Sequence, residues 1–363
     1  MATAELFGDL IETLRHHSVS IRQKGAPMYA GLAALMVDDP ELLALMAHAR
    51  AGQPADFALF TAVNHLLLTD PDAPLARLHP LTTRTPMEAG AIYPALRAYA
   101  LEHAARIRAL IATRTVQYTT TLRSSYVLPA MDYVAHQAGE PLSLVEIGCS
   151  VGLNLLFDQW SYDYGTAGRI DTPGSRVRVR GEFRGAAPKL PARMPLVGAR
   201  VGLDLHRMHF DDEDAQRWIL ASLWPEWIDD VQALEQALPV RRTFPLEVVE
   251  GDALETLPGV IDRLPDPVCV FHSAVLYQWN RAQIARLEAL LDRIGRERTV
   301  HRIAIETLSL TMTTVEAERV YREGGYVPVE IRHTRYDARG PQSTLLGYCD
   351  GFGKWLEWKI GAA

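Results

Sequence analysis

The residues best able to do chemistry in this 363-residue chain converge on "LSLVEIGCSVGLNLLFDQW", residues 142–160. Two reactions use the same five letters there. Gly148-Cys149-Ser150-Val151-Gly152 reads as G-x-S-x-G, the elbow that presents a serine nucleophile in esterases. Preceded by Glu146, it also reads as E-x-G-x-x-x-G, a glycine loop that lets a nucleotide-bearing cofactor approach the backbone. The elbow requires earlier strands of the same sheet, an oxyanion loop of the H-G-G type, and an acid and a histidine downstream. No H-G-G run precedes Ser150, so the oxyanion donors that matter most for acyl transfer have no source. His272, His301 and His333 lie downstream, but a chain with twelve histidines offers such a match by chance. The cofactor loop asks only for a glycine turn directly after the first strand of an α/β region. G-x-G-x-x-G is absent, because Ser150 and Leu153 occupy the third and sixth positions from Gly148. A cofactor without a pyrophosphate therefore suits the loop better than a dinucleotide.

The elements that must carry these residues divide the chain in two. Residues 1–115 repeat apolar positions at helical spacing, as in "PELLALMAHARA", "DFALFTAVNHLLL" and "AIYPALRAYALEHAARIRALIATR", and predict an all-helical N-terminal domain. Residues 116–363 form the second domain, where from about residue 142 β-rich runs such as "LSLVEIG", "ARVGLDL", "LEVVEGD", "DPVCVFHSAV" and "VHRIAIETL" alternate with helical stretches. That alternation predicts a mostly parallel sheet with helices on both faces, a Rossmann-like α/β fold. "GLNLLFDQW" is expected to be the helix after the glycine loop, and the R-V-R-V-R alternation suggests a hairpin inserted at about 165–198. "YVPVEIRHTRY" and "STLLGYCDGFGKWLEW" fit an antiparallel C-terminal edge.

"LVEIGCSVGLNLL" resembles the first motif of class I methyltransferases that use S-adenosylmethionine, and nearly the whole chain resembles the bacterial family known as domain of unknown function 2332. The stretches that carry the second resemblance include "MYAGLAALMVDDPELLALM", "AVNHLLL", "PLARLHP", "VGLDLHRMHFDDEDAQRWILASLWPEW", "VVEGDALETL", "FHSAVLYQW" and "GFGKWLEW". The resemblance implies a helical N-terminal part, a class I methyltransferase sheet and bound S-adenosylmethionine. Two departures stand out. Ser150 occupies the loop position where methyltransferases carry glycine, which suits a cofactor only if its φ stays negative. Ahead of the loop, "VQYTTTLRSSY" keeps Gln117 and Arg123 of the family's run and alters what lies between.

S-adenosylmethionine needs partners for a carboxylate, an amine, a ribose diol and an adenine. Arg123 is a candidate for the carboxylate through its planar fork, against a surface arginine as the plain alternative. Glu146 at the strand end is a candidate for the amine, with Gly148, Ser150, Gly152 and Asn154 forming the loop around it. Asp204, ending "ARVGLDL", is preferred for the ribose over Asp163, although it lies more than fifty residues beyond Gly148. Asp252 and the Ala253 amide are candidates for the adenine edge, while Asp252 serves equally as a helix N-cap. His272, Ser273 and Tyr277 in "FHSAVLYQW" follow the fourth strand, where transferred methyl and acceptor should meet, and are the catalytic candidates. The expected reaction is methyl transfer to a small-molecule oxygen or nitrogen. Alternatives are a non-catalytic S-adenosylmethionine or nucleoside binder and a serine esterase using Ser150.

Composition restricts partners and compartment. A formal net charge of −7, with no basic stretch interleaved with aromatics, argues against nucleic acid as the main partner. Cys149, Cys269 and Cys349 lie far apart without a C-x-x-C pair, consistent with a reducing cytoplasm. No apolar run is long enough to cross a bilayer and the start lacks an export signal, so a cytoplasmic protein without membrane contact is expected. His206, His209, Asp211 and Asp212 cluster in "DLHRMHFDDED" without a standard ligand spacing, and no metal is expected. Trp218, Trp224 and Trp227 are expected in packing, with a lid over the acceptor as the lesser alternative.

Overall fold

The computed structural model describes residues 7–208, 210, 212–307 and 329–361. Two compact units divide the chain, one comprising 1–119 with 210–235, the other 120–209 with 236–363. The first is helical, as its periodicity predicts. Its central helix, Ala55–Leu67, is buried at every position from Ala58 to Leu67, so it is covered around its circumference and not along one stripe. Asn64 in that run donates from Nδ2 to the Tyr29 hydroxyl at 2.7 Å and to the Ala221 carbonyl at 2.9 Å, while its Oδ1 is buried without a partner among the described residues.

Residues 210–235, which alternation alone would assign to the α/β domain, supply this unit with Glu213–Ala221 and the beginning of Ile228–Thr243. Trp218, Trp224 and Trp227 are all buried within it. Trp218 Nε1 donates to the Thr115 carbonyl and Trp227 Nε1 to the Gly25 carbonyl, both at 2.9 Å, so each indole satisfies its N–H inside the helical unit. These tryptophans do the packing work expected of them. His209 and Asp211 lie outside the described residues, and among the described residues no cluster of His, Cys, Asp and Glu could hold a metal ion. No described helix is long and apolar enough to cross a membrane.

Among the described residues the second unit has twelve strands: β1 Leu142–Ile147, β2 Ser161–Asp163, β3 Arg169–Ile170, β4 Arg178–Arg180, β5 Glu182–Phe183, β6 Val197–Asp204, β7 Glu247–Glu250, β8 Val268–Ser273, β9 Val300–Thr307, β10 Val329–Asp337, β11 Gly340–Cys349 and β12 Trp355–Trp358. Nine form one sheet in the order β5-β12-β11-β10-β9-β8-β1-β6-β7. The five from β7 to β9 run parallel, and β10 and β11 turn back antiparallel, as expected of the C-terminal edge. β1 and β8 are buried at every residue, the pattern of parallel strands covered on both faces.

One face carries Val145, Ile147, Val270 and Val300 against Leu254, Leu257 and Ile261 of the helix Ala253–Asp262 and Leu287 and Leu291 of the helix Arg281–Gly295. The other face is covered by the helix Ser124–Ala138, whose Met131 sulfur lies 3.9 Å from Cys269 Sγ and whose Tyr126 hydroxyl lies 2.9 Å from Ser273 Oγ. β6 departs to one side of β1 and β8 to the other, so the chain reverses its direction of winding at β1, and open sheets of this type form a crevice beyond the strand ends at such a reversal.

Two local expectations need correction. "GLNLLFDQW" forms a short 3-10 segment, Asn154–Gln159, interrupted by non-helical angles at Leu156. Arg200 of β6 holds this segment by pairing both guanidinium nitrogens with Asp158, at 2.6 and 2.7 Å, while also donating to the Leu155 carbonyl. The region expected to be a hairpin forms a separate three-stranded sheet, β3-β2-β4, while β5 leaves it to pair with β12. In β4 the Arg-Val alternation buries Val179 and exposes Arg178 and Arg180, so its period of two is obeyed although the partner is β2.

The closing loop between β11 and β12 fastens the helix Ser124–Ala138. Asp350 Oδ1 accepts from the amides of Phe352, Gly353 and Lys354 at 3.1, 2.8 and 3.1 Å, and Ser125 Oγ donates to the Gly353 carbonyl at 2.6 Å. Gly353 has φ +93°, and a side chain there would collide with the Leu122 carbonyl. Gly353→Ala is therefore expected to lower the urea unfolding midpoint by an amount worth roughly 2–3 kcal/mol, with the denaturant slope unchanged.

Candidate functional site

Every sequence-predicted site residue lies in the second unit, and most gather at the C-terminal ends of β1, β6 and β8. The loop after β1 is built from left-handed residues, with φ +70° at Gly148, +51° at Ser150 and +80° at Gly152. Ser150 therefore does not meet the condition, a negative φ, under which its side chain would leave the loop open to a cofactor. A non-glycine residue in this region is strained, and the Ser150 amide is drawn into place by Asp204, whose Oδ2 accepts it at 2.8 Å. Asp204 Oδ1 accepts the His206 amide at 3.2 Å. Asp204 thus stands beside the glycine loop, over fifty residues from it in sequence. Asp163 is used elsewhere: it accepts the Gly165 amide at 3.0 Å and pairs with Arg169 at 3.0 Å in the small sheet.

The glycines admit protein, not open space. A Cβ at Gly148 would fall 2.5 Å from Val275 Cγ2, and one at Gly152 would collide with Leu246 and lie 3.5 Å from Arg241 Nε. Arg241 Nε itself donates to the Val151 carbonyl at 2.5 Å, tying the loop to the end of the helix Ile228–Thr243. These two glycines therefore permit close packing of neighbouring segments around the loop.

Glu146 carries the strongest electrostatic signal. Its Oε1 accepts Asn154 Nδ2 at 2.8 Å, while Glu146 Oε2 and Asn154 Oδ1 are both buried with no hydrogen-bond partner among the described residues. Burial of this 1 %-exposed carboxylate raises its pKa to about 8, against the opposing influence of Asn154 and the Arg123 charge. Arg123 begins the helix Ser124–Ala138 and donates from Nε to the Gly351 carbonyl at 3.3 Å. Asp252 caps the helix Ala253–Asp262 by accepting the Leu254 amide at 2.8 Å, and Ala253 is the buried first residue of that helix.

The catalytic candidates separate. In the β1/β8 register Ile147 stands beside His272 and Glu146 beside Phe271, so Ser273 shares the face of Glu146, while His272 belongs to the opposite face. Tyr277 is 61 % exposed. His272 is fully buried with both ring nitrogens engaged: Nδ1 lies 2.6 Å from Glu306 Oε1, and Nε2 receives Arg302 Nε at 3.0 Å. Arg302 continues to Glu288, which accepts the Tyr336 hydroxyl at 2.5 Å. Burial and the Arg302 charge hold the His272 pKa below its ordinary value, with Glu306 opposing.

Sequence reasoning passed over Tyr126, Arg241, Val275 and Glu306. Glu306 had one legible signal, an acid near the end of a predicted strand like Glu146 in "LVEIG". Tyr126 had none.

Residues 12–358 match the family described as "Uncharacterized protein conserved in bacteria (DUF2332)". The chain belongs to this family. No curated protein and no solved structure matches it. The family's match embraces both units, including the glycine loop, Glu146, Asp204 and the closing "GFGKWLEW".

Because Glu146 keeps a proton in the folded protein above the ordinary carboxylate value of 4.5, and the unfolded chain does not, stability is expected to fall as pH rises from 5 to 8. Glu146→Gln removes this dependence. Urea unfolding at several pH values should show the variant gaining on the wild type by on the order of a few kcal/mol across that window; parallel curves would show that Glu146 does not carry the penalty.

Proposed function

We propose that this protein binds S-adenosylmethionine at the C-terminal ends of β1, β6 and β8 and transfers its methyl group to a small-molecule oxygen or nitrogen. One observation carries the reading: Glu146, fully buried near the end of β1, presents an oxygen with no partner among the described residues, next to an Asn154 oxygen in the same condition. A ligand ammonium placed there would favour the ionised form of Glu146, and the carboxylate and the Asn154 oxygen would then both accept from its several hydrogens. The α-amine of S-adenosylmethionine is such a group. Arg123, close enough for its charge to lower the Glu146 pKa, would face the α-carboxylate. Asp204 would face the ribose, and the Ala253 end of its helix the adenine.

When bound, the cofactor supplies a methyl on a sulfonium, a leaving group that asks the protein for alignment more than for acid or base. Ser273 and Tyr126, paired by their hydroxyls on the Glu146 face, would orient an acceptor; Tyr126 is fully buried and its hydroxyl stays protonated because burial raises its pKa. His272 would contribute no proton transfer, since both its nitrogens are committed on the other face. That sealing favours a second reading, cofactor binding without transfer. It also leaves the esterase reading without its nearest downstream base.

Calorimetry with S-adenosylmethionine and its demethylated product tests the proposal. Binding by the wild type should weaken roughly 10–100-fold in Glu146→Gln, the loss expected for hydrogen bonds to a charged group. No heat at millimolar ligand would refute both cofactor readings, and hydrolysis of p-nitrophenyl esters that disappears in Ser150→Ala would replace them with the hydrolase. Labelled methyl groups appearing on a small molecule from cell extract would divide enzyme from binder.

A further inference from the structure

The segment that follows β8 lies on the glycine loop and is itself held from the next strand. Val275 Cγ2 occupies the space beside Gly148. The Val275 amide donates to both oxygens of Glu306, at 3.0 and 3.2 Å, and Glu306 Oε1 also meets His272 Nδ1 at 2.6 Å. Between strand and valine stands Ala274, at φ +54°, a conformation an alanine adopts only when its surroundings impose it. The Ala274 amide is fixed to the Ile305 carbonyl at 3.0 Å, so both amides of the turn are bound by the end of β9. His272 cannot swing away from Glu306, because Arg302 occupies its other nitrogen and is in turn held by Glu288.

We infer that Glu306 is a positioning residue: by gripping the Val275 amide, with His272 as its brace, it presses Val275 onto Gly148 and so sets the shape of the loop that carries Ser150 and follows Glu146. This rests on the cofactor reading above for its consequence in binding, and on geometry alone for its consequence in order. The side chain touches no proposed ligand atom. Its action passes through a backbone amide and one valine.

The test uses the full chain with Glu306→Gln, which keeps an acceptor but removes the charge, with Val275→Ala, and with the double variant. Hydrogen exchange read by mass spectrometry should rise in Glu306→Gln at residues 274–276 and also at 147–152, while the helical unit and β10–β11 keep wild-type protection. A variant that merely unfolds more easily would raise exchange everywhere; exchange raised everywhere, or unchanged at 147–152, would overturn the inference.

In calorimetry with the demethylated cofactor each single variant is expected to weaken binding about tenfold, and the double variant no more than the weaker-binding single, because both act on one contact. Losses that add in full would overturn it as well. A wild type that binds no cofactor would sink the cofactor reading alone, since the exchange pattern then still decides whether Glu306 orders the glycine loop.

Discussion

A carboxylate withdrawn from water at the end of the first parallel strand constrains the whole C-terminal rim of the sheet. Glu146 sits between covered strands, where an ionised carboxyl is costly, and one oxygen is answered by Asn154 while the other has no partner among the described residues. Its neighbours are arranged around that fact. The loop that follows turns back at once through left-handed residues, bringing Asn154 within reach. Arg123, which precedes the helix covering this face, opposes that cost in part with its charge and is itself located by the Gly351 carbonyl. The Asp350 loop matters for the same reason: three amides on one carboxylate oxygen fix the carbonyls of Gly351 and Gly353, which in turn fix Arg123, Ser125 and Tyr126.

The two faces of the sheet divide the labour. On the Glu146 face the polar groups include the Ser273 and Tyr126 hydroxyls, Glu146, Arg123 and a buried pair of histidines, His301 and His333, whose rings meet at 3.0 Å. On the other, Glu306, His272, Arg302, Glu288 and Tyr336 form a closed chain in which each charge is answered. Such a chain rigidifies because breaking any member strands another in a place water does not reach. Val275 links the second system to the first. It leaves β8 under the control of Glu306 and ends against Gly148.

Much of this fold is legible in the sequence because parallel strands covered on both faces read as apolar runs, and "LSLVEI" and "VCVFHS" are such runs. The glycine loop was legible from its spacing, and Asp204 from its place at a strand end. Residues 210–235 were not assigned to the helical unit, because their tryptophan-rich amphipathic pattern would suit a helix on a sheet equally well. The 3-10 segment after the loop escaped for a related reason: its apolar spacing is helical, and what shortens it is Arg200 reaching back from β6 to Asp158. The separation of His272 from Ser273 follows from the strand period of two, but which of them faces Glu146 depends on register. Glu306 and Tyr126 act across 31 and 147 residues, on Val275 and Ser273 respectively, distances at which residue type carries no directional information.

Ser150 explains why an acid at the end of β6 is compatible with two duties. A serine in the left-handed region costs about 1 kcal/mol or more relative to glycine, and its amide turns toward Asp204 as a consequence of that conformation. The charged acceptor offsets the strain, so Ser150 and Asp204 depend on each other. Each Asp204 oxygen takes one amide, from Ser150 and from His206, and a carboxylate oxygen has two lone-pair directions. One direction per oxygen is thus committed to holding the loop. A diol presented beyond the strand ends would meet an acid whose orientation is already fixed by the backbone it stabilises, and the same anchoring would persist in a member of this family that bound no ligand.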